Sequence, residues 1–365
     1  MNILIVNWQD WKNPFAGGAE VYLYEIFSRL AKRGHNIILL CSRGKGQSRF
    51  EELDGIKIYR IGRRSNFNFL VPVALRALLR RNKVDVVVDD LNKIPFYSPI
   101  FTRKKVLPML MHLFRTTIYC ETNFIFASYV FFTERVIPFM YAGSNFVAIS
   151  HSTADDLREI GVRNKIYVVP CGIPVIPSKI KEGHQDDLVA YVGRLKRYKS
   201  IDHFIDAVSL LQKSMAVEAL VVGDGDVRYE LMNRAQQLKA KIKFTGFVGE
   251  EEKYRIYSRA RVVVQPSVKE GWGLTAIEAQ SCGTPVVCAD SPGLREVVRN
   301  GETGFLYPYG DVNRLSDRIK ELLTDRPKWR KFSVAAKKWA QKFSWDNAAL
   351  EIERILEEEI YRGKI

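Results

Sequence analysis

The sequence predicts an α/β protein made of two doubly wound, Rossmann-like parallel-sheet domains. Two observations carry this prediction: short apolar runs alternate with helical patterns along the chain, and the alternation starts again after an interruption. The interruption is a linker rich in proline, glycine and polar residues over residues 170–187. We therefore expect a first domain over residues 1–172, a second over 173–345 and a C-terminal helix over 346–365.

The first domain is expected to open with a strand, a glycine pair and a helix. Residues 3–7 are apolar, Gly17 and Gly18 end the following loop, and a helical pattern then runs to Leu30, which makes an opening βα unit. Further strands are predicted at 36–40, 56–59, 84–90, 106–112, 146–149 and 166–169. Helices are predicted over 74–81, over 122–140 and after Ser150.

The second domain repeats this alternation. Strands are predicted at 188–192, 219–222, 242–248, 262–266 and 286–287. Helices are predicted from Ile201, from Leu274 and over the tail from Trp339 to Arg362. The two halves therefore look like analogous α/β domains.

Composition favours a folded protein in a reducing compartment. The 365 residues are 47% hydrophobic and 27% charged, which is ordinary for a globular chain. The five cysteines form no CxxC pair, so they are interpreted as reduced and structural. The first residues are typical of a strand and not of a signal peptide, and no apolar span is long enough to cross a membrane. We expect a cytoplasmic protein, peripheral at most on the cytoplasmic face of a membrane.

The net charge of +15 is concentrated in the first half, where residues 1–172 hold 24 basic against 14 acidic side chains. Clusters lie around the apolar segment 67–71 and before the aromatic-rich segment 122–140. The basic residues concerned are Arg60, Arg63, Arg64, Arg76, Arg80, Arg81, Lys83, Arg103, Lys104 and Lys105. Basic clusters beside exposed aromatics suit an anionic membrane surface or a nucleic acid. A solvated basic helix face is the alternative for any one cluster.

The stretch from Glu270 to Glu278 has the pattern of a ligand site. A glycine-framed loop carries the first carboxylate, and a helix predicted to begin near Leu274 carries the second. The unpaired amides at a helix start favour a phosphate or diphosphate, and ionised carboxylates accept hydrogen bonds from sugar hydroxyls. A nucleotide sugar offers both kinds of group. The alternative is that Glu270 caps the helix dipole and Glu278 is a solvated surface residue.

A basic loop after a strand is a second candidate. Gly193, Arg194 and Lys199 lie between the strand at 188–192 and the helix from Ile201, where an anionic ligand would gain charged partners. An ordinary surface loop with basic residues is the alternative. Considered with the stretch at 270–278, the loop favours an anionic ligand.

Other polar positions are weaker candidates. The segment 223–226 lacks the third glycine of a dinucleotide fingerprint, although it follows a strand. Asp89 and Asp90 end a predicted buried strand and Asn92 follows it, and a metal role for the acids is conceivable. His112 ends an apolar run and is either a packed core histidine or, at the carboxyl end of a strand, a functional one.

Taken together and in order, these motifs resemble those of the family four glycosyltransferases, which are retaining, nucleotide-sugar-dependent enzymes with the GT-B fold. The motifs are Gly17–Glu20, His112, Val192–Leu195 with Lys199, Gly223–Gly225, Thr245–Val248, Glu270–Glu278 and Asn300–Phe305. The resemblance covers nearly the whole chain. It implies two Rossmann-like domains facing a central cleft and a last helix that crosses back to the first domain.

The resemblance also implies roles for individual residues. Arg194 and Lys199 would neutralise the donor diphosphate, Glu278 would hold the ribose hydroxyls and Glu270 would contact the transferred sugar. Val248 would lie near the base. The other implied donor contacts are Gly17, Gly18, Gly193, Gly223 and the backbone of Trp272, Gly273, Leu274 and Thr275, with His112 beside the donor sugar.

The implied chemistry is front-face transfer with retention, in which the departing diphosphate helps take the acceptor proton. The resemblance implies no metal and no cofactor beyond the nucleotide-sugar donor, so Asp224 and Asp226 are expected to be structural. Two positions depart from the common family pattern: Ser200 stands where glycine is usual, and Pro292 stands where a second glycine is frequent. The second departure bears on backbone contacts near the phosphate.

We therefore expect a glycosyltransferase that acts on a lipid-linked, glycan or otherwise membrane-presented acceptor, with an anionic membrane surface as a partner. A nucleotide-sugar 2-epimerase of the same architecture is the nearest alternative enzyme. A basic nucleic-acid-binding protein is a different class and would have no use for the acidic, glycine-framed site. The sequence gives no indication of the base, the sugar, the linkage or the oligomeric state.

Overall fold

The computed structural model describes residues 1–92, 94–120, 122–174, 176, 179–180 and 183–362. It divides into two compact units, one of Met1–Gly172 with the helix that begins at Trp345, and one of Ile173–Ser344. Each unit is an α/β domain around a parallel sheet, which confirms the predicted fold class. Parts of the predicted linker at 170–187 and the last three residues of the predicted C-terminal helix lie outside the described residues.

The sheet of the first unit has eight described strands. They are β1 (Asn2–Val6), β2 (Asn36–Ser42), β3 (Phe50–Leu53), β4 (Ile56–Ile61), β5 (Val86–Asp90), β6 (Lys105–Leu110), β7 (Phe146–Ala148) and β8 (Ile166–Val168). Their order is β3-β4-β2-β1-β5-β6-β7-β8, and every neighbouring pair is parallel except β3 with β4. The central strands β1, β2 and β5 are continuous apolar runs because helices cover both of their faces.

Three helices cover one face of this sheet. The helices of the first unit before the linker are α1 (Gly18–Lys32), α2 (Phe67–Arg81), α3 (Phe124–Met140) and α4 (His151–Glu159). Buried side chains of α2, α3 and α4 share one apolar core with alternate residues of β1, including Leu4 and Val6. This shared core places α2, α3 and α4 on the same side of the sheet.

The sheet of the second unit has six described strands in the order β11-β10-β9-β12-β13-β14, all parallel. The strands are β9 (Leu188–Val192), β10 (Glu218–Val222), β11 (Ile242–Gly246), β12 (Val262–Gln265), β13 (Val286–Ala289) and β14 (Gly304–Tyr307). The helices are α5 (Ile201–Gln212), α6 (Arg228–Gln237), α7 (Glu250–Arg259), α8 (Leu274–Ser281), α9 (Leu294–Val297), α10 (Val312–Thr324) and α11 (Arg326–Ala340).

The C-terminal helix α12 (Trp345–Arg362) belongs to the first unit. The indole of Trp345 packs edge-on against Tyr22 of α1, with ring centroids 5.8 Å apart. On the same side, Glu353 pairs with Arg33 at 2.8 Å and with His35 at 2.6 Å. His35, just beyond α1, thus joins α12 to the end of α1.

Two of the predicted helices have wrong boundaries. The helix expected over 74–81 begins at Phe67, because Phe67 and Val71 face the core and extend the apolar side by two turns. The tail expected as one helix from Trp339 is the end of α11 followed by the separate helix α12. The break between them lies at residues 341–344, where the carbonyl of Phe343 accepts a hydrogen bond from the amide of Ile173 at 3.3 Å.

Candidate functional site

The site of the second unit is organised where the direction of strand order changes. The chain passes from β9 to β10 on one side of the sheet and from β12 to β13 on the other, although β9 and β12 are neighbours. The loops after these two strands therefore diverge and leave a crevice at their carboxyl ends. Lys199 follows β9 and Glu270 follows β12, so the fold brings together two residues that are 71 positions apart in the chain.

Lys199 and Glu270 form a close ion pair in this crevice. The ammonium of Lys199 donates to Oε1 of Glu270 at 2.5 Å, and the hydroxyl of Ser267 donates to the same oxygen at 2.6 Å. The two side chains are only 12% and 13% exposed. Burial works against the lysine charge, but attraction to Glu270, with smaller contributions from Tyr198 and Tyr191, raises the pKa of Lys199 above its usual value. Lys199 is therefore a fixed cation at neutral pH.

Backbone contacts fix the loop that carries Glu270. The amide of Glu270 donates to the carbonyl of Pro292 at 3.0 Å, and the amide of Val268 donates to the carbonyl of Tyr198 at 3.0 Å. Gly293 has φ +82°, and a Cβ there would lie 2.3 Å from the carbonyl oxygen of Glu270. Pro292 thus takes part through its carbonyl, which proline retains, and only Gly293 needs to be glycine.

The start of α8 offers unpaired amides beside this pair. Gly273 is the N-cap with φ +90°, and no side chain caps the helix. Its carbonyl accepts from the amides of Ala276 and Ile277, so the amides of Leu274 and Thr275 precede the first intrahelical bonds. Trp272 is buried against Phe343, with ring centroids 4.9 Å apart, and anchors the turn. This geometry suits an anion at the helix start.

Glu278 lies one turn further along α8 and is 4% exposed, so it is not the solvated surface residue of the alternative interpretation. Lys253 donates to its Oε1 at 3.1 Å and Tyr257 donates to its Oε2 at 3.1 Å. Burial raises the pKa of Glu278, and the charge of Lys253 works in the opposite direction. The sequence analysis missed Lys253 and Tyr257, although their spacing of four residues on one helix places both on the same face.

Close backbone packing joins the loops after β9 and β10. A Cβ at Gly223, which has φ +128°, would lie 2.0 Å from the carbonyl oxygen of Gly193. Arg194 extends from this junction as an exposed side chain, and its carbonyl accepts a hydrogen bond from Tyr191 at 3.0 Å. Asp224 pairs with Arg228 at 3.3 Å, and Asp226 pairs with Lys196. The structure thus gives both acids basic partners.

Val248 stands half-buried two residues beyond β11. The strand expected to reach Val248 ends at Gly246, whose carbonyl accepts from the amide of Gly223 at 2.9 Å. Phe247, between them, is largely exposed. This segment follows the carboxyl end of a sheet strand, on the same edge as the loops that carry Arg194 and Glu270.

The remaining predicted residues belong to the first unit. His112 lies two residues beyond β6, is half-buried and packs edge-on against Phe114 with centroids 4.6 Å apart. Gly17 is the N-cap of α1, and its amide donates to Glu20 at 2.6 Å. Nothing lies within 4 Å of a Cβ built at Gly18.

Glu134 of α3 supports the loop that follows His112. Its two carboxylate oxygens accept from the amides of Phe114 at 2.7 Å and Arg115 at 2.8 Å. The side chain is buried, at 2% exposure. Glu134 was not predicted from the sequence, although a single acid in a long apolar helical segment could have indicated a buried hydrogen-bonding role.

Asp89, the residue before β5 ends at Asp90, has structural partners. Asp89 accepts from the hydroxyl of Ser98 at 2.5 Å, from its amide at 3.1 Å and from Tyr141 at 2.6 Å. Asn92 donates to Glu20 at 3.3 Å. Within the part of the chain that the structure describes, no three His, Cys, Asp or Glu side chains are grouped so that they could hold a metal ion.

Two family descriptions match the chain in succession. Residues 16–175 match Glycosyltransferase Family 4, and residues 172–339 match Glycosyl transferases group 1. The protein is a member of these glycosyltransferases. The family assignment made from the motifs is therefore confirmed.

Relatives and solved structures agree with this assignment. An uncharacterized glycosyltransferase of Methanocaldococcus jannaschii is 26% identical over 96% of each chain. O-antigen chain mannosyltransferase B of Escherichia coli is 33% identical over 44% of this chain and 43% of its own length. Sucrose-phosphate synthase from Thermosynechococcus elongatus shares the GT-B fold, with a TM-score of 0.81, 21% identity and 98% of both chains covered.

A second solved structure adds a ligand to the comparison. The Anabaena protein HepE, solved in complex with UDP and glucose, has a TM-score of 0.76 and 20% identity, covering 98% of this chain and 100% of that one. At this identity the likeness establishes the fold of the glycosyltransferase and leaves its substrates open.

Proposed function

We propose that this glycosyltransferase moves a sugar, with retention, from a nucleoside diphosphate sugar to a hydroxyl of a lipid-linked or other membrane-presented acceptor, without a metal ion. The observation that carries the proposal is the Lys199–Glu270 pair beside the uncapped start of α8. A cation and unpaired amides suit a diphosphate, and a carboxylate next to them suits the hydroxyls of the sugar attached to it.

The donor is proposed to bind along the carboxyl edge of the second sheet. Lys199 has three N–H donors, so it can keep its bond to Glu270 while it binds a phosphate oxygen. Arg194, exposed on the same edge, would add a second positive charge. Glu278 would accept the ribose hydroxyls, and Val248 would lie against the base. The HepE complex with UDP-glucose supports a donor of this class.

In the proposed transfer step the protein stabilises the charge on the departing diphosphate and forms no covalent bond to the sugar. The bond between the anomeric carbon and the diphosphate oxygen breaks while the acceptor oxygen attacks from the same face, and the departing diphosphate takes the acceptor proton. Lys199, Arg194 and the α8 amides would stabilise the negative charge that develops on the diphosphate. These groups supply the role that a metal ion has in other transferases, so activity should persist in excess chelator.

Gly17, Gly18 and His112 keep the roles that the family resemblance implies. By that resemblance Gly17 and Gly18 would contribute to donor binding, and His112 would lie beside the transferred sugar. The sugar-side role of His112 is open to direct test, because His112→Ala removes the imidazole of a half-buried residue outside β6. We expect such a variant to fold and to lose transfer.

The membrane-presented acceptor is supported by the exposed basic side chains on and beside α2 and by exposed apolar side chains on α3. Within the described residues no helix is long and apolar enough to span a bilayer. Contact with a membrane would therefore be made from its surface.

A thermal-shift panel of nucleoside diphosphates and their sugars tests the donor proposal. A ligand at a hundred times its dissociation constant should stabilise the protein by about 2.7 kcal/mol. The matching donor is then incubated with membrane extract, and both nucleotide release and the anomeric configuration of the product are measured. An inverted anomer would overturn retention, and an isomerised sugar formed from donor alone would overturn transfer.

A further inference from the structure

One face of the first unit carries large apolar side chains in solvent. On α3 they are Phe124, Ile125, Phe126, Tyr129, Phe132, Phe139 and Met140, and on α2 they are Phe69, Leu70 and Val73. Phe69, Ile125 and Phe139 are 78%, 82% and 79% exposed. Isolated exposed apolar residues are common, but a set of this size on adjacent helices indicates an interaction surface.

The helix α3 is apolar on its outer side as well as its inner side. Its buried residues include Ala127, Val130 and Ile137, which pack on the sheet. Its one acid, Glu134, points inward, and its one base, Arg135, is exposed. A helix on the surface of a water-soluble domain normally carries polar residues outward, so α3 has the composition of a helix covered on both sides.

A short 3-10 helix at Ser98–Ile100 is flanked by residues that contact both α2 and α3. Arg76 of α2 lies 5.5 Å from the ring centroid of Phe101, and the hydroxyl of Tyr97 donates to the carbonyl of Thr133 in α3 at 2.9 Å. Ile100, between them, is 54% exposed. We name this surface, formed by α2, the 3-10 helix and α3, the aromatic face.

The charges on the aromatic face have one sign. Exposed basic residues flank both helices: Arg63, Arg64, Arg76, Arg80, Arg81, Arg103, Lys104, Lys105 and Arg135. The helix α2 contains no acid, and the acid of α3 is buried beneath the surface. Within the described residues, α2 and α3 therefore present no carboxylate to solvent.

We propose that the aromatic face is the surface by which this protein binds an anionic lipid bilayer, with α3 lying in the plane of the interface. Apolar side chains among basic ones are the arrangement that inserts below anionic headgroups. A second copy of this chain would bring arginines against arginines, and a nucleic acid would gain little from Ile125, Val73 and Met140. The inference deepens the proposed function, on which it rests for the membrane-presented acceptor.

Flotation with lipid vesicles tests the proposal. The purified 365-residue chain, without nucleotide, is mixed with vesicles of pure phosphatidylcholine or with vesicles in which phosphatidylglycerol makes up about one third of the lipid. We expect binding to the anionic vesicles that weakens with added salt. Two removed aromatics should lower the partition coefficient by roughly a hundredfold, because each buried phenylalanine side chain is worth about tenfold or more.

Two variants and two controls make the test specific. The aromatic variant combines Phe132→Gln with Phe139→Gln, and its control combines Leu350→Gln of α12 with Val334→Gln of α11, which are exposed apolar residues elsewhere. The basic variant combines Arg80→Gln with Arg81→Gln, and its control combines Lys331→Gln with Lys338→Gln on α11. The aromatic variant and the basic variant should weaken flotation, and their controls should not. For the basic variant we expect a loss of about fivefold per basic residue removed.

The alternatives give different results. The inference would be overturned if the wild-type chain did not bind anionic vesicles. Equal losses of flotation in the variants and their controls would also overturn it. A concentration-dependent dimer abolished by the aromatic variant would assign the face to a second copy instead. Donor binding, measured by thermal shift without vesicles, should be the same in all four variants. Failure of flotation with intact donor binding would therefore reject the membrane surface alone, whereas absent donor binding would reject the proposed function.

Discussion

The ammonium of Lys253 lies 3.1 Å from Oε1 of Glu278, so the carboxylate proposed to hold the donor ribose has its charge balanced from the neighbouring helix. Tyr257 donates to the second oxygen from the same face of α7. Burial raises the pKa of Glu278, and Lys253 acts against that effect. Lys253 therefore favours the ionised form of Glu278 in a place where water is largely excluded.

Replacement of Lys253 by methionine should impair donor binding with little effect on the chemical step. Without the nearby cation the pKa of Glu278 rises further, and a protonated carboxyl group is a poorer acceptor for ribose hydroxyls. We expect the donor KM to increase about tenfold while kcat stays within a factor of two or three, consistent with a lost charge-assisted hydrogen bond. Steady-state kinetics from pH 6 to 9 measures both.

The pH dependence separates this role from a purely structural one. In Lys253→Met the donor KM should improve as pH rises, because Glu278 becomes ionised again, and Lys253→Arg should restore most of the affinity at pH 7. A donor KM that does not change in Lys253→Met at any pH would remove Lys253 from the site.

Removing both Lys199 and Glu270 should restore stability relative to either single substitution but should not restore activity. Lys199→Met leaves a largely buried carboxylate without its cation, and Glu270→Gln leaves the lysine without its anion. Each single substitution should lower the free energy of unfolding by about 3 kcal/mol. The double variant should recover most of that stability, because neither charge is then left alone.

Activity should not recover in the double variant. If Lys199 and Glu270 act on the donor, nucleotide release with acceptor should fall by about a hundredfold or more in all three proteins. Urea unfolding and a nucleotide-release assay on the same preparations give the comparison. A double variant that regained activity together with stability would show that the pair is only structural.

Ser200, the residue after Lys199, lies in the left-handed region with φ +48°, where a non-glycine residue is strained. Its hydroxyl lies 3.0 Å from the hydroxyl of Tyr309, which offsets part of that strain. We expect Ser200→Gly to change the free energy of unfolding by less than about 0.5 kcal/mol, because relief of strain and loss of the hydrogen bond nearly cancel.

A double-mutant cycle checks this explanation. Tyr309→Phe should cost about 1 kcal/mol when Ser200 is present and almost nothing when glycine replaces it. Equal costs in the two backgrounds would mean that the Ser200–Tyr309 hydrogen bond does not contribute.

Asp89 should make stability fall as pH rises through the weakly acidic range. Burial raises the pKa of Asp89 from 3.8 to about 6, against the effect of hydrogen bonds from Ser98 and Tyr141. The folded state therefore holds a proton that the unfolded state has released between these two pH values. The contribution of Asp89 to stability is greatest below pH 4, and about 3 kcal/mol of it is lost by pH 7 on the linkage relation.

The measurement is the slope of unfolding free energy against pH between 4 and 6. Asp89→Asn should remove the negative contribution of Asp89 to this slope. Asp85 offers a control of opposite sign: burial acts to raise its pKa, but hydrogen bonds from Asn2 dominate and the pKa is lowered, so its contribution is lost as pH falls. An unaltered slope in Asp89→Asn would contradict the assignment.

The sequence predicted the architecture because parallel strands covered on both faces are short apolar runs that stand out between helical patterns. It was less successful where burial decided the outcome. The aromatics of the apolar segment at 67–71 were interpreted as exposed, yet Phe67 and Val71 are buried, whereas Phe69 and Leu70 face water. Local periodicity does not indicate which apolar residues meet a distant strand.

The site was predictable where its parts lie close together in the chain. Glu270, Gly273 and Glu278 lie on one loop and the helix that follows it, so one continuous sequence pattern predicted all three. The charged partner of Glu278 comes from another segment, because Lys253 lies on α7. An exposed lysine and a buried one are alike in sequence, so only the fold could identify Lys253 as the counter-charge.

The opposite orientations of Glu134 and its neighbours on α3 have a practical consequence. The inward carboxylate accepts hydrogen bonds from the amides of Phe114 and Arg115, whereas the side chains of Phe132 and Phe139 lie in solvent. Surface engineering can therefore treat the two sides of one helix as separate problems. Glutamine or serine placed at Phe132 and Phe139 should give a protein that is easier to concentrate and crystallise, provided that position 134 is left alone.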